Sequence, residues 1–170
     1  KPPLLFWLIN LVWAITGVSE IAARLVGPVF GALAVVGTAL LAQDVWKAER
    51  DTAWRAPLVL AAFPVFAIYA SATMFDALLT CSVLMAMGAV WRIGQGRCGG
   101  GTVLLLGLAL GAGTLAKGPV VLLHVLPALM LMRLWAPAAP SFAVVIRVLL
   151  SGLAIALATI AVWLAPLLAD

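Results

Sequence analysis

Charge is what this sequence has least of. Only 9% of its 170 residues are Asp, Glu, Lys or Arg, against 66% hydrophobic, and the mean hydropathy is +1.23. Those values lie outside the range of soluble domains and place the chain among polytopic membrane proteins. Cysteine and histidine are almost as scarce. Cys81 falls inside an apolar run and Cys98 in a Gly-rich loop, so no bridge between them is expected and cysteine usage says nothing of the redox compartment. No Cys/His cluster is present to hold a structural metal, no cofactor is called for, and no serine has the context of a nucleophile elbow. Residues 94–99 match G-x-G-x-x-G, but no strand precedes them, which excludes a dinucleotide site. A net charge of +4 and a pI near 9.7 express loop topology in so apolar a chain, so no nucleic-acid partner is assigned. The chain opens on Lys1-Pro2-Pro3 without an initiator methionine or signal-peptide pattern and stops just after an apolar run, as a piece of a longer protein would.

What the sequence does have is long apolar runs with few interruptions. Residues 102–132 would make a single helix about 45 Å long at 1.5 Å per residue, more than a ~30 Å hydrocarbon core holds. The run must therefore be two helices that turn at Leu115-Ala116-Lys117-Gly118-Pro119, with Gly118 supplying the turn and Pro119 the first position of the second helix. The other runs follow in order. Residues 1–16 are too short to span and are read as an interfacial helix. Ser19 is a plausible N-cap for a span over 20–46, with Glu20 and Arg24 in its first turns. Further spans are expected at 56–72, 77–91, 102–116, 119–135 and 148–166. The segments 47–55, 92–101 and 133–147 between them are read as aqueous loops. Trp7, Trp13, Trp46, Trp54, Trp91, Trp135 and Trp163 fall near the ends of apolar runs, as interfacial belts do. Gly107, Gly111 and Gly113 suggest close helix packing. The expected fold is all-α: one transmembrane helical bundle over 1–170, with about six spanning helices plus the N-terminal interfacial helix.

Orientation follows from Lys and Arg in the short loops. One side collects Lys47, Arg50, Arg55, Arg92, Arg97, Arg133 and Arg147 and is read as cytoplasmic. The other holds Lys1, Arg24 and Lys117, with Glu20, Asp76 and Asp170 beside them, on the extracytoplasmic side.

Four segments, in this order and spacing, carry a resemblance: Lys1-Pro2-Pro3-Leu4, Ser19-Glu20-Ile21-Ala22-Ala23-Arg24-Leu25, Met74-Phe75-Asp76-Ala77-Leu78-Leu79 and Leu115-Ala116-Lys117-Gly118-Pro119-Val120. Together they resemble bacterial relatives of the protein O-mannosyltransferase and aminoarabinose-transferase family, which are GT-C type glycosyltransferases. The resemblance implies a GT-C-like fold in a bacterial inner membrane. It also implies a polyprenyl-phosphate-linked sugar as donor, a lipid, glycan or protein as acceptor, and chemistry at the extracytoplasmic face. In that family the general base is a carboxylate in a loop upstream of the Lys-Pro-Pro segment, so no catalytic base is expected within this chain, and the isolated stretch is expected to be inactive. The sequence departs from the eukaryotic form, which has His-Pro-Pro-Leu-Gly-Lys at this place.

Displacing a polyprenyl phosphate from an anomeric carbon calls for cations at the departing phosphate. Lys1, Arg24 and Lys117 are the candidate phosphate contacts, and Glu20 and Asp76 the candidates for orienting them or the acceptor. Each has a plainer reading. Lys117 could be an interfacial anchor, Asp76 a carboxylate favoured by a helix N-terminus, and Glu20 and Arg24 an i,i+4 pair holding each other. Thr73, Asp76 and Thr80 share one face at helical spacing, which would suit a polar lining. His124 is read as a satisfied core histidine in preference to a ligand. Two other functions stay open at this stage: a transporter or flippase lined by the same charges, and a non-catalytic membrane scaffold.

Overall fold

A computed structural model describes residues 2–47 and 50–169, which leaves Lys1 and Asp170 outside the described residues. Its elements are α1 (Leu4–Thr16), α2 (Glu20–Val45), α3 (Arg50–Ala62), α4 (Pro64–Ser71), α5 (Phe75–Gly94), α6 (Gly100–Lys117), α7 (Val120–Met130), α8 (Met132–Trp135) and α9 (Phe142–Ala169). No strand occurs among the described residues, so the chain is an all-α bundle.

Four helices are long and apolar enough to cross a membrane: α2, α5, α6 and the 142–165 part of α9. A fifth is obtained if α3 and α4 count as one span, although the two meet at a 71° bend. The straight helix expected over 56–72 is broken at Pro64. A proline there removes an intrahelical N–H and clashes with the preceding turn, and Phe63 before it takes an extended conformation (φ −75°, ψ 116°), as the residue before a proline prefers. The six expected crossings also lose the simple helix over 119–135. That segment is the 11-residue α7 followed, after a break at Leu131, by the four-residue α8. It nevertheless returns the chain to the far end of the bundle, because Trp135 stacks on Trp91 near the end of α5, ring centroids 6.1 Å apart.

The expected loops are shorter than the charges suggested. Helix α3 already starts at Arg50, α5 runs on through Arg92 to Gly94, and α9 begins at Phe142, six residues before the expected 148. Charged residues cluster in the outer turns of these helices as well as between them, so a charge run alone overestimates a loop. Pro137 and Pro140 do fall in the non-helical stretch between α8 and α9, where neither has to supply an N–H.

Two details of the helix ends set the rest of the geometry. At the N-terminus of α2, the Ser19 hydroxyl accepts from the backbone N–H of Ala22 at 3.4 Å, the expected cap. At the end of α6, Gly118 takes φ +79°, a left-handed turn that suits glycine, and Pro119 becomes the N-cap of α7 in place of its first helical residue.

The core lies between α5, α6, α7 and α9, where Ile93, Leu106, Leu110, Val121, Val125, Leu129 and Met132 are buried. Helices α6 and α9 run parallel and very close. A Cβ at Gly107 would lie 2.5 Å from Ile155 Cβ, and one at Gly111 would lie 2.8 Å from Thr159 Cβ. The stripe of small residues read from the sequence therefore meets a neighbouring helix at contact distance, the usual way membrane helices gain packing when lipid supplies no hydrophobic drive.

Candidate functional site

One end of the bundle gathers the N-termini of α2 and α5, the C-terminus of α6 and the start of α1. What draws them together is a small apolar cluster of Leu5, Val26, Leu78 and Ala116, flanked by Phe30 and Phe75. Its members are sequence neighbours of the charged residues. Val26 follows Arg24 by two positions, Leu78 follows Asp76 by two, and Ala116 precedes Lys117. The Phe6 and Phe75 rings meet edge to face at 6.0 Å, and the Trp13 indole N–H donates to the Ser19 carbonyl at 2.8 Å, tying α1 down beside the start of α2. Apolar burial thus sets the polar groups at one level.

Asp76 and Lys117, 41 positions apart in sequence, form an ion pair through Lys117 Nζ and Asp76 Oδ1. Each is placed favourably by its own helix, since Asp76 sits in the first turn of α5 and Lys117 in the last turn of α6. Their side chains are 37% and 42% exposed, so the pair borders water. Glu20 and Arg24 form the second pair, with Arg24 Nη2 at 2.6 Å and Nε at 2.9 Å from Glu20 Oε1. At about three-quarters exposed on both partners, it contributes a few tenths of a kcal/mol at most.

Thr73 connects these groups through a feature the sequence reading overlooked. Pro28 lies inside α2 and has no N–H to give the carbonyl four residues back, which belongs to Arg24. The Thr73 hydroxyl donates to that carbonyl at 3.0 Å. Serine and threonine side chains are among the groups that restore such freed carbonyls in membrane helices. The same hydrogen bond holds the 72–74 turn, and Asp76 just beyond it, against α2. Contact there is so close that a Cβ at Gly27 would lie 2.2 Å from the Ala72 carbonyl oxygen. A proline in a membrane span was the available signal, because it announces a carbonyl that must find another donor.

Other expectations shift. Thr73 precedes α5 and does not share its face with Asp76. Thr80 turns its hydroxyl back to the Asp76 carbonyl at 2.8 Å and offers no free donor to a cavity. His124 is satisfied, with Nδ1 3.0 Å from the Val120 carbonyl oxygen, but it lies exposed on α7 and is not a core residue. Its bond is local to its own helix, which the i, i+4 spacing allows without any burial. The structure brings Glu20, Arg24, Asp76 and Lys117 to one end, while Lys1 and Asp170 lie outside the described residues. No group of three or more His, Cys, Asp or Glu able to hold a metal occurs among the described residues.

The fold is that of a multi-pass membrane protein, an apolar helical bundle with two cations and two carboxylates gathered at one end. The family is then specific. The model of the dolichyl-phosphate-mannose-protein mannosyltransferase family matches residues 1–165, nearly the whole chain, and the chain belongs to that family. It is a membrane glycosyltransferase of the GT-C type. Comparison with curated proteins and with solved structures finds no match.

Proposed function

We propose that this chain takes part in transferring a sugar from a polyprenyl-phosphate donor to a hydroxyl of a lipid, glycan or protein acceptor, at the extracytoplasmic face of a bacterial inner membrane. In the step, the bond between the anomeric carbon and the phosphate oxygen breaks and the phosphate leaves with the electron pair. The acceptor oxygen bonds to the anomeric carbon, and its proton passes to a general base, which the family resemblance puts on a carboxylate upstream of Lys1. Lys117 and Arg24 face the departing phosphate, with Lys1 a further candidate, while Asp76 and Glu20 hold the two described cations in place before the donor arrives. Membership of a transferase family favours this reading over a transporter or a scaffold.

The observation that carries the proposal is the half-exposed Asp76–Lys117 pair. Exposed ion pairs contribute about 0–1 kcal/mol. The singly charged phosphodiester of the donor can displace so weak a partner, and the ammonium then faces the phosphate as it gains its second negative charge on leaving. Near the bilayer the effective dielectric falls below that of water, which strengthens the attraction as charge develops on the leaving group. The test is Lys117→Gln in the full-length protein. Transfer is expected to fall by about 10²- to 10³-fold, the usual consequence of losing one such donor, with membrane expression and thermal unfolding close to wild type. Lys117→Arg should retain more, since it keeps the charge although its planar fork fits a compact site less well. Turnover of the Gln variant within a few-fold of wild type would reduce Lys117 to an interfacial anchor.

A further inference from the structure

A groove of about 440 Å³ runs along the bundle between α2 and α5, from Phe30 and Cys81 to a mouth at the end away from Lys117. Its walls are apolar along most of their length, with Phe30 and Gly37 from α2 and Cys81 and Gly88 from α5. The deep end closes where the Cys81 thiol donates to the Phe30 carbonyl at 3.2 Å. At the mouth stand two opposite charges, Asp44 and Arg92. The mouth is pinned by the Trp91 indole N–H, which donates to the Asp44 carbonyl at 3.2 Å. Among the described residues the ion pairs are Glu20–Arg24 and Asp76–Lys117, and Asp44 and Arg92 are not joined to each other.

We propose that this groove binds one glycerophospholipid of the leaflet at that end, an aminophospholipid whose phosphate contacts Arg92 and whose ammonium faces Asp44. Length is the first argument. From Cys81 to Arg92 the α5 wall rises about 16 Å and from Phe30 to Asp44 the α2 wall about 21 Å at 1.5 Å per residue, so the groove is at least as deep as one leaflet's share, about 15 Å, of a ~30 Å hydrocarbon core. An acyl chain that starts at the interface fills the groove and ends near its floor. Charge is the second argument. Arg92 lies in the last turn of α5, where a cation is favoured, so the plain reading as a helix-end anchor accounts for it. That reading does not account for Asp44. A carboxylate in the last turn of α2 opposes the helix dipole and gains from a cation; α2 has none in that turn, and Lys47 just beyond it lines a neighbouring pocket with Asp44 but is not paired with it among the described residues. A zwitterionic head group with a primary ammonium satisfies both charges at once, the guanidinium as a charge-assisted donor to phosphate and the carboxylate as acceptor. The third argument is steric: a Cβ at Gly88 would meet nothing within 4 Å, so the wall is open where a chain would lie.

The experiment is native mass spectrometry of the full-length protein released from vesicles of equal phosphatidylethanolamine and phosphatidylglycerol content. Wild type is expected to retain phosphatidylethanolamine in preference to phosphatidylglycerol. Arg92→Gln should weaken retention of both lipids about tenfold, as expected for one lost charge-assisted contact. Asp44→Asn should abolish the preference while phosphatidylglycerol is still held. Gly88→Leu puts a side chain into the groove from a position where its Cβ meets nothing within 4 Å, and it should lose the lipid while its thermal unfolding stays at or above wild type. Retention unchanged in Gly88→Leu, indifference of wild type to head group, or retention of phosphatidylglycerol alone would each overturn the proposal and leave ordinary annular lipid as the explanation.

Discussion

Replacing Thr73 by valine keeps the shape of the side chain and deletes one hydroxyl, and the consequence depends on a residue 45 positions earlier. Because Pro28 has no N–H, the Arg24 carbonyl loses its intrahelical donor, and the Thr73 hydroxyl at 3.0 Å takes that place. A net intramolecular hydrogen bond contributes about 0.5–1.5 kcal/mol. The bond lies toward the water side of the bundle, where solvent can partly replace it, so Thr73→Val is expected to cost about 0.5–1 kcal/mol. In the Pro28→Ala background, residue 28 regains an N–H, the carbonyl is satisfied within α2, and Thr73→Val should cost almost nothing. The double-mutant cycle should then show a coupling energy of about 0.5–1 kcal/mol, read as a difference of about 1–4 °C in the midpoint shift of thermal unfolding in detergent. Thr73→Ser should behave as wild type. An equal cost of Thr73→Val in both backgrounds would refute the account, and with it the claim that this hydroxyl holds the turn carrying Asp76 against α2.

The remaining predictions concern orientation and packing. Arg97→Cys and Lys117→Cys should report opposite faces to a membrane-impermeant thiol reagent, with Lys117→Cys labelled in intact cells and Arg97→Cys only after lysis. Both are best placed on a Cys98→Ser background, so that the native free thiol next to position 97 adds no labelling of its own. Labelling of position 97 but not 117 in intact cells would reverse the assigned faces. Gly107→Val drives a side chain into Ile155 and the Gly152 carbonyl oxygen, 2.5 and 2.8 Å from the new Cβ. Such overpacking should cost about 1–3 kcal/mol. A thermal unfolding midpoint unchanged by Gly107→Val would show that α6 and α9 are not held at that distance.

Much of the fold was legible because the bilayer allows so few solutions. A chain this apolar must satisfy its backbone internally, and helices are what a single apolar run can form. The turn at Lys117 was readable for the same reason: 31 residues without a break do not fit the core, and the Gly118-Pro119 pair marks where the break falls. Less legible were the places where a proline acts on a distant part of the chain. Pro64 bends the expected 56–72 span through 71°, an outcome set by its clash with the preceding turn. Pro28 leaves its helix running but creates an acceptor that Thr73 answers. The charges of the site could be listed from sequence, yet their partners could not. The i,i+4 pair Glu20–Arg24 follows from helical spacing. Asp76–Lys117 joins the start of one helix to the end of the next across 41 positions, and neither charge draws the helices into register. The register comes from Leu5, Val26, Leu78 and Ala116, buried directly beside the charged positions. Those apolar neighbours put an ammonium and a carboxylate within reach of each other at half exposure. A strongly held, fully buried pair would yield to a phosphate only at high cost, so the proposed role of Lys117 at the departing phosphate depends on the weakness of this pair.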